Sequence, residues 1–172
     1  MSKLFKSPKS AEAALQLEAI IQTATDGIIT INEKGAMEMV NDAAAELFGY
    51  SSDEMLGQSI NMLMPAHHAT QHDNYIQNYI KTGKAKIIGI GREVNAKRKD
   101  GSLFPIRLSI SEVKLDGRRV FTGIVHDLSQ QKAAEQALNR EKQRAQRYLN
   151  IANTIIVVLD HEGRIKLLNE KG

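Results

Sequence analysis

The chain has 172 residues, of which 42% are hydrophobic and 25% charged, and it carries a formal net charge of +3 without any cysteine. This composition suffices for one ordinary hydrophobic core, with residues left for flanking helices or a partial second unit. The lack of cysteine excludes disulfides, thiolate metal sites and covalent cysteine adducts of a flavin.

The composition also disfavours nucleic-acid binding and membrane insertion. The positive charge is scattered, and four phenylalanines, four tyrosines and no tryptophan offer little surface for stacking bases. The longest apolar run, residues 155–159, is too short to span a bilayer, and no apolar segment follows the basic amino terminus. We expect a soluble, cytoplasmic segment with neither nucleic acid nor membrane as a partner.

The first predicted element is a helix over residues 10–22 that flanks the core. Ala14, Leu17 and Ile21 recur at i, i+3 and i+7, which gives an otherwise polar helix one apolar stripe. We interpret this stripe as a surface that pairs in a homodimer.

An internal repeat indicates how the chain is organised. Residues 24–41 and 152–169 each predict a strand, a turn with glycine and a second strand, which together form a hairpin. The matching positions are Ala24 and Ala152, Ile28 and Ile156, Gly35 and Gly163, and Asn41 and Asn169. A single hairpin cannot bury its own apolar face, so we expect the second copy to be the truncated start of a further domain.

A helix is predicted between Pro65 and Gly83, because proline favours the first turn of a helix and glycine its end. His72 shares one face of this helix with Ile76 and Tyr79, at i+4 and i+7, and we expect that face to point to the apolar interior. A core histidine satisfied by hydrogen bonds is the ordinary interpretation of such a position.

The other four histidines are weaker candidates for a ligand. His68 and His72 have the i, i+4 spacing of a zinc pair, but no nearby glutamate or cysteine completes such a site. His67 and His68 are therefore interpreted as surface residues. His126 lies at the end of the last predicted strand, and His161 lies in the turn of the second hairpin, where we expect it to be exposed.

Three strand-like segments follow the helix. They cover residues 87–94, 97–110 and 121–128, and Asp100-Gly101 and Asp116-Gly117 predict hairpin turns. Together with the helix they can enclose an apolar pocket that contains a neutral imidazole, aliphatic side chains and one arginine at the rim. A haem site requires this combination of groups.

Residues 130–150 are charged and free of glycine, and they predict a linker helix. Ala134, Leu138, Ala145 and Tyr148 lie at a/d-like spacing, but complete heptads are absent. Pairing within a dimer is one interpretation of this helix, and a solvated single helix is the other.

Residues 61–128 resemble the haem-binding PAS domain of the FixL family of oxygen-sensing histidine kinases, and the similarity extends back to about Thr23. His72 and Gly91-Arg92 are specific to the oxygen-sensing branch, whereas the closing Asp127-Leu128-Ser129 is general to PAS domains. The matching motifs are Asn61-Met62-Leu63-Met64-Pro65, His72-Asp73 with Tyr75-Ile76, Ile87-Ile88-Gly89-Ile90-Gly91-Arg92, Leu108-Ser109-Ile110 and Phe121-Thr122-Gly123.

The resemblance implies haem b, iron protoporphyrin IX, with His72 as the axial metal ligand. It also implies that Arg92 pairs with a propionate or with dioxygen, while aliphatic side chains keep the opposite wall dry. The expected cofactor-binding residues are His72, Tyr75, Tyr79, Lys86, Ile87, Ile90, Arg92, Leu108 and Ile110. The chain departs from the family where basic residues anchor propionates, because Asn78 and Lys86 stand at those positions.

The expected fold is α+β, a five-stranded antiparallel PAS sheet with helices on one face and flanking amino- and carboxy-terminal helices. The expected domains are a flanking helix (1–22), a haem PAS domain (23–128), a signalling linker helix (129–150) and the truncated start of a second PAS domain (151–172).

The expected function is dioxygen sensing, with carbon monoxide and nitric oxide as further candidate ligands. The segment itself is expected to be non-enzymatic and to pass its ligand state to a carboxy-terminal output module, such as a histidine kinase or a cyclase. Asp127 or Ser129 is expected to cap the linker helix. Two alternatives stay open at this point: a PAS domain that binds another cofactor such as a flavin, and a ligand-free dimerisation module.

Overall fold

The computed structural model describes residues 8–83, 91–115, 117–151, 155 and 157–168. The chain divides into two compact units, Met1–Ser129 and Gln130–Gly172. Within the described residues, no helix is both long and apolar enough to cross a membrane.

The first unit is built on one antiparallel sheet of five strands in the spatial order β2-β1-β5-β4-β3. This arrangement, together with the helices that cover it, confirms the α+β PAS fold expected from the sequence. The strands are β1 (Gly27–Asn32), β2 (Met37–Val40), β3 (Arg92–Lys97), β4 (Leu103–Leu115) and β5 (Arg118–Asp127).

The strand boundaries differ from the predicted ones on the carboxy-terminal side of the sheet. Lys97 ends β3 rather than opening β4, because the chain turns at Gly101, whose φ of 86° is left-handed. β4 continues beyond Ile110 to Leu115, where it pairs with Arg118 across the second predicted turn. The sequence interpretation ended this strand at Ile110, although Val113 and Leu115 alternate with polar residues. Both side chains are exposed, so pairing with β5 rather than burial stabilises the extension.

The helices of this unit are α1 (Pro8–Gln22), α2 (Asp42–Phe48), α3 (Ser52–Met55), a 3-10 turn (Ile60–Leu63) and α4 (Ala66–Thr82). Helix α4 is the predicted histidine-bearing helix, and its bounds are confirmed: Pro65 precedes it, and Gly83 ends it with a φ of 64°. The short elements between residues 42 and 63 were not placed by the sequence interpretation.

Helices α2 and α4 cover the same face of the sheet. Phe48 of α2 meets Phe104 of β4 edge to face, with ring centroids 5.6 Å apart. Tyr79 of α4 meets Phe121 of β5 in the same way at 5.9 Å. Fully burying a large apolar side chain such as Phe48 contributes roughly 1.5–3 kcal/mol, so these contacts fix the helices over the sheet.

The second unit contains the rest of helix α5 (Ser129–Ile151) and a two-stranded hairpin. The hairpin strands, β6 (Val157–Leu159) and β7 (Ile165–Leu168), pair antiparallel, and Gly163 between them has a φ of 78°. The hairpin predicted from the repeat is therefore present, although the matching Ala152, Ile156 and Asn169 lie outside the described residues.

Candidate functional site

A pocket lies between α4 and the helix-covered face of the sheet, and its walls are mainly apolar. Its enclosed volume is about 130 Å³, below the roughly 300–1,000 Å³ of sites that hold drug-sized ligands. The apolar lining residues are Ile29, Phe48, Ile60, Leu63, Met64, Val94, Ala96, Ile106, Leu108, Ile110 and Val125, and the polar ones are His68, His72, Tyr75, Arg92 and Asn95.

Strand register explains why these side chains converge. Arg92 of β3 lies opposite Leu108 of β4, which lies opposite Val125 of β5. Residues directly opposite one another in a sheet point to the same face, so all three side chains reach the pocket. Residues two apart on a strand point to the same face, so Ile110 and Ile106 also line the pocket beside Leu108. Ile110 was predicted to do so, whereas the sequence interpretation did not name Ile106.

His72 projects into this pocket from the middle of α4 and is half-buried. Its Nδ1 atom is buried, and no hydrogen-bond partner for it exists among the described residues. Burial lowers the pKa of His72 because desolvation disfavours the charged imidazolium, an effect that the neighbouring Asp73 partly opposes. The imidazole is therefore neutral at physiological pH, which is the form that binds a metal.

Arg92 lies on the sheet side of the pocket, at the start of β3, and is exposed. No acidic side chain of the described residues forms an ion pair with it. A guanidinium keeps its charge at any physiological pH, so Arg92 is available to an anionic or polar ligand that enters the pocket.

The two tyrosines expected at the site have different surroundings. Tyr75 lines the pocket, and its hydroxyl donates to Gln71 on the same helix at 2.5 Å. Tyr79 does not line the pocket; its hydroxyl instead donates to Glu112 of β4 at 2.5 Å. The raised pKa of Tyr79 has this hydrogen bond as its main cause, followed by desolvation and the Glu112 charge.

Three expected site residues, Lys86, Ile87 and Ile90, lie outside the described residues. Asn78, which the resemblance placed at a propionate-anchoring position, is exposed on α4 and does not line the pocket. Any carboxylate held in the pocket by the described residues would therefore meet His68 or Arg92 rather than Asn78.

The remaining histidines are placed as follows. His67 and His68 are exposed with ring centroids 4.1 Å apart, and of the two only His68 lines the pocket. His126 Nδ1 lies 2.7 Å from Asp26 Oδ1, away from the pocket, and His161 is exposed in the second hairpin. No group of three or more histidine, cysteine, aspartate or glutamate side chains that could hold a metal ion occurs among the described residues.

The residues present fit an iron porphyrin in their chemistry. A protein can hold haem with a neutral imidazole for the iron, apolar walls against the porphyrin and a cation for its carboxylates. His72, the aliphatic wall around Leu108 and Ile110, and Arg92 supply these groups. The volume of the pocket among the described residues is smaller than that of sites that hold drug-sized ligands.

Comparison with known proteins assigns the family. A family model described as "PAS domain" matches residues 25–130, which is more than half of the chain. The chain belongs to the PAS domain family. A solved PAS domain of an HTR-like protein from Haloarcula marismortui superimposes on 69% of this chain and 94% of its own with a TM-score of 0.57 at 23% identity, which supports the fold.

Two curated relatives of this PAS domain are a sensor protein and a histidine kinase. The sensor protein FixL of Bradyrhizobium diazoefficiens is 41% identical over 135 residues, which are 76% of this chain and 27% of FixL. The cell-division control histidine kinase PdhS of Brucella ovis is 30% identical over 152 residues, 88% of this chain and 14% of that kinase. The matched segment thus spans only 27% and 14% of the length of these two relatives. Both support a signalling sensor role for the domain.

The PAS domain ends in a hydrogen-bonded junction with α5. Arg98 Nη2 lies 3.2 Å from Asp127 Oδ2, while Arg98 Nη1 donates to the carbonyl of Leu47 at the end of α2. The other carboxylate oxygen of Asp127 accepts from the backbone N–H of Ser129. The pocket-side helix α2, the end of β5 and the beginning of α5 are therefore connected through two side chains.

Proposed function

We propose that this PAS domain is a haem-based dioxygen sensor in which the imidazole of His72 would hold the iron. The observation that carries the proposal is the buried, unpaired Nδ1 of a neutral His72 facing an apolar pocket. A buried polar atom without a hydrogen-bond partner costs folding free energy. Rearrangement of the residues around a bound metal can provide Nδ1 with such a partner. The 41% identity to FixL supports the same assignment.

When bound, haem supplies an iron with an open position for a neutral diatomic gas. Leu108 and Ile110 exclude water from the sheet side of the pocket, which favours an uncharged ligand over water. Arg92 can donate a charge-assisted hydrogen bond to a polar ligand such as dioxygen, or to a propionate. Carbon monoxide and nitric oxide are further candidate ligands.

A conformational change caused by ligand binding would be transmitted from the domain to α5 through Asp127 and Ser129. A ligand shifts this output only by the difference between its affinities for the two conformations. The output module would lie in the parent protein, as in the kinase relatives. We further propose that the segment forms a homodimer through its flanking helices and that residues 151–172 begin a second PAS domain, because they repeat the first hairpin.

The absorption spectrum of the purified protein tests the cofactor. A Soret band supports haem; a flavin band in the blue, or neither band, overturns the proposal in favour of another cofactor or a ligand-free module. Replacing His72 with Ala should then abolish the Soret band while the far-UV circular dichroism stays unchanged. The exposed His67→Ala variant is the matched control and should retain haem.

A further inference from the structure

Tyr79 lies two helical turns after His72 on the same face of α4, about 10 Å along the helix axis. Its ring packs against Phe121 with an interplanar angle of 69°, and its hydroxyl donates to Glu112 Oε2 at 2.5 Å. Phe121 and Glu112 are directly opposite each other on β5 and β4. One side chain of the histidine-bearing helix therefore contacts two adjacent strands of the sheet, β4 and β5.

The acceptor of this hydrogen bond is itself fixed in place. The Glu112 side chain is only 16% exposed, and Arg119 Nη1 of β5 lies 3.3 Å from its Oε1. That ion pair lacks hydrogen-bond geometry, since Oε1 is buried without a hydrogen-bond partner among the described residues. Burying a carboxylate is unfavourable unless it is paired or hydrogen-bonded. The burial of the Glu112 side chain therefore depends on the hydrogen bond that it accepts from the Tyr79 hydroxyl.

A second side-chain hydrogen bond connects α4 to the domain nearer its amino-terminal end. Asn61 Nδ2 in the 3-10 turn donates to Asp73 Oδ1 at 3.0 Å. The hydroxyl of Tyr75, by contrast, bonds within α4 itself. Asp73 directly follows His72 in sequence, so the Asn61 contact lies beside His72, whereas the Tyr79 contact lies seven residues further along α4.

We infer that Tyr79 is a positioning residue: its hydrogen bond to Glu112 sets the distance of α4 from the sheet and thereby the position of His72 over the pocket. The inference rests on the proposed function insofar as His72 is the ligand of haem iron. It reassigns Tyr79, which the sequence placed among the residues that touch the cofactor.

Hydrogen–deuterium exchange of the full chain tests the contact without relying on haem. Tyr79→Phe should accelerate amide exchange in Ala66–Thr82 by roughly tenfold, the ratio that corresponds to one hydrogen bond to a charged group. Tyr148→Phe is the matched control, because its hydroxyl contacts only Arg144 on its own helix among the described residues. Equal exchange in the Tyr79→Phe and wild-type proteins overturns the inference.

Resonance Raman spectroscopy of the ferrous protein tests the effect on His72. Tyr79→Phe and Glu112→Ala should shift the iron–imidazole stretching band equally, and the double variant should shift it no further. Glu112→Gln keeps an acceptor oxygen and should restore the wild-type band. A purely structural role would lower the thermal midpoint without moving the band, and that result, or additive shifts, overturns the inference.

The two proposals fail in different ways. A wild-type protein without a Soret band overturns the proposed function, and hydrogen exchange then still decides whether Tyr79 holds α4. A wild-type protein with haem whose iron–imidazole band is the same in Tyr79→Phe overturns the positioning role alone.

Discussion

Asp127 Oδ1 accepts a hydrogen bond from the backbone N–H of Ser129 at 2.7 Å, so the last residue of β5 pairs with one of the free N–H groups in the first turn of α5. This junction was expected from the sequence, which named Asp127 and Ser129 as candidate caps. Burial alone would raise the pKa of Asp127, but the hydrogen bonds from Ser129 and the contact with Arg98 outweigh it and lower the pKa. The carboxylate therefore stays ionised throughout the physiological range.

Replacing Asp127 with Ala should lower the free energy of unfolding by about 1–2 kcal/mol at pH 7, the typical cost of a lost helix cap. Because the folded-state pKa is lowered, the contribution is present above the ordinary value of 3.8 and is lost as the pH falls through the folded-state pKa. Urea denaturation at pH 7 and below pH 4 measures both effects. Asp53→Ala, at an exposed first-turn position of α3, is the control; equal losses in both variants would contradict the cap.

His72 should make the haem-free protein less stable in mild acid. Its folded-state pKa lies below the ordinary 6.5 because burial disfavours the charge. The stability it contributes is therefore present above pH 6.5 and is lost as the pH falls through the folded-state pKa. His72→Gln should flatten the curve of unfolding free energy against pH between 7 and 5, whereas the exposed His67→Gln should not. Parallel curves for wild type and His72→Gln would show that His72 is not desolvated.

Much of the fold could be predicted from local signals. Pro65 and Gly83 bounded α4 correctly, because each has a backbone preference that depends little on the rest of the protein. The repeat likewise located both hairpins. The extension of β4 to Leu115 was missed, because it is stabilised by pairing with β5 rather than by burial of its own side chains.

The candidate site could be predicted where alternate residues of a strand share one face, and less well for side chains whose partners are distant in sequence. Leu108 and Ile110 reach the pocket as alternation requires. Tyr79 was grouped with His72 because both share a helix face, but helix periodicity cannot show that Glu112, distant in sequence, lies within reach of its hydroxyl. Asn95 lines the pocket too, and no sequence signal distinguished it from a surface residue.

Asn41 is the most heavily hydrogen-bonded side chain of the core and should be among the costliest to remove. It is fully buried; its Nδ2 donates to the carbonyls of Ile21 and Asp26, and its Oδ1 accepts from the N–H groups of Ile28 and Ala44. Asn41→Ala leaves several of these groups unpaired and should cost about 2–5 kcal/mol of unfolding free energy. Thermal or urea denaturation measures the loss.

The exposed Asn78→Ala variant is the control for Asn41 and should change the unfolding free energy by less than about 0.5 kcal/mol. A loss at Asn41 no larger than this would mean that water replaces its partners. The attachment of α1 to the core would then depend on other contacts, such as the hydrogen bond from the Asp42 N–H to Gln22 Oε1 at 3.0 Å.

The proposed homodimer predicts that truncation changes the oligomeric state. Leu17 and Ile20 of α1 are 59% and 66% exposed, and a partner helix would cover such side chains. Light scattering of residues 23–128 should show a monomer where the full chain is a dimer, and Leu17→Glu should do the same in the full chain. Glu18→Lys on α1 is the control. An unchanged dimer in the fragment would place the interface on the sheet.

Arg92 should discriminate between gases if it contacts the bound ligand. Its side chain lines the pocket from β3, opposite Leu108. A charge-assisted hydrogen bond to dioxygen would make Arg92→Ala weaken dioxygen binding by about 1.5–3 kcal/mol, roughly ten- to a hundredfold. Carbon monoxide carries much less charge on its outer atom, so its affinity should change far less.

The measured quantity is the ratio of dioxygen to carbon monoxide affinity, obtained by titration of the ferrous protein with each gas. Arg107→Ala is the matched control, because Arg107 is exposed, forms a 3.6 Å ion pair with Glu93 and does not line the pocket. Equal changes for both gases in Arg92→Ala, or none, would mean that Arg92 pairs with a propionate or with solvent. Ligand discrimination would then have to come from the crowding of Leu108 and Ile110 against the gas.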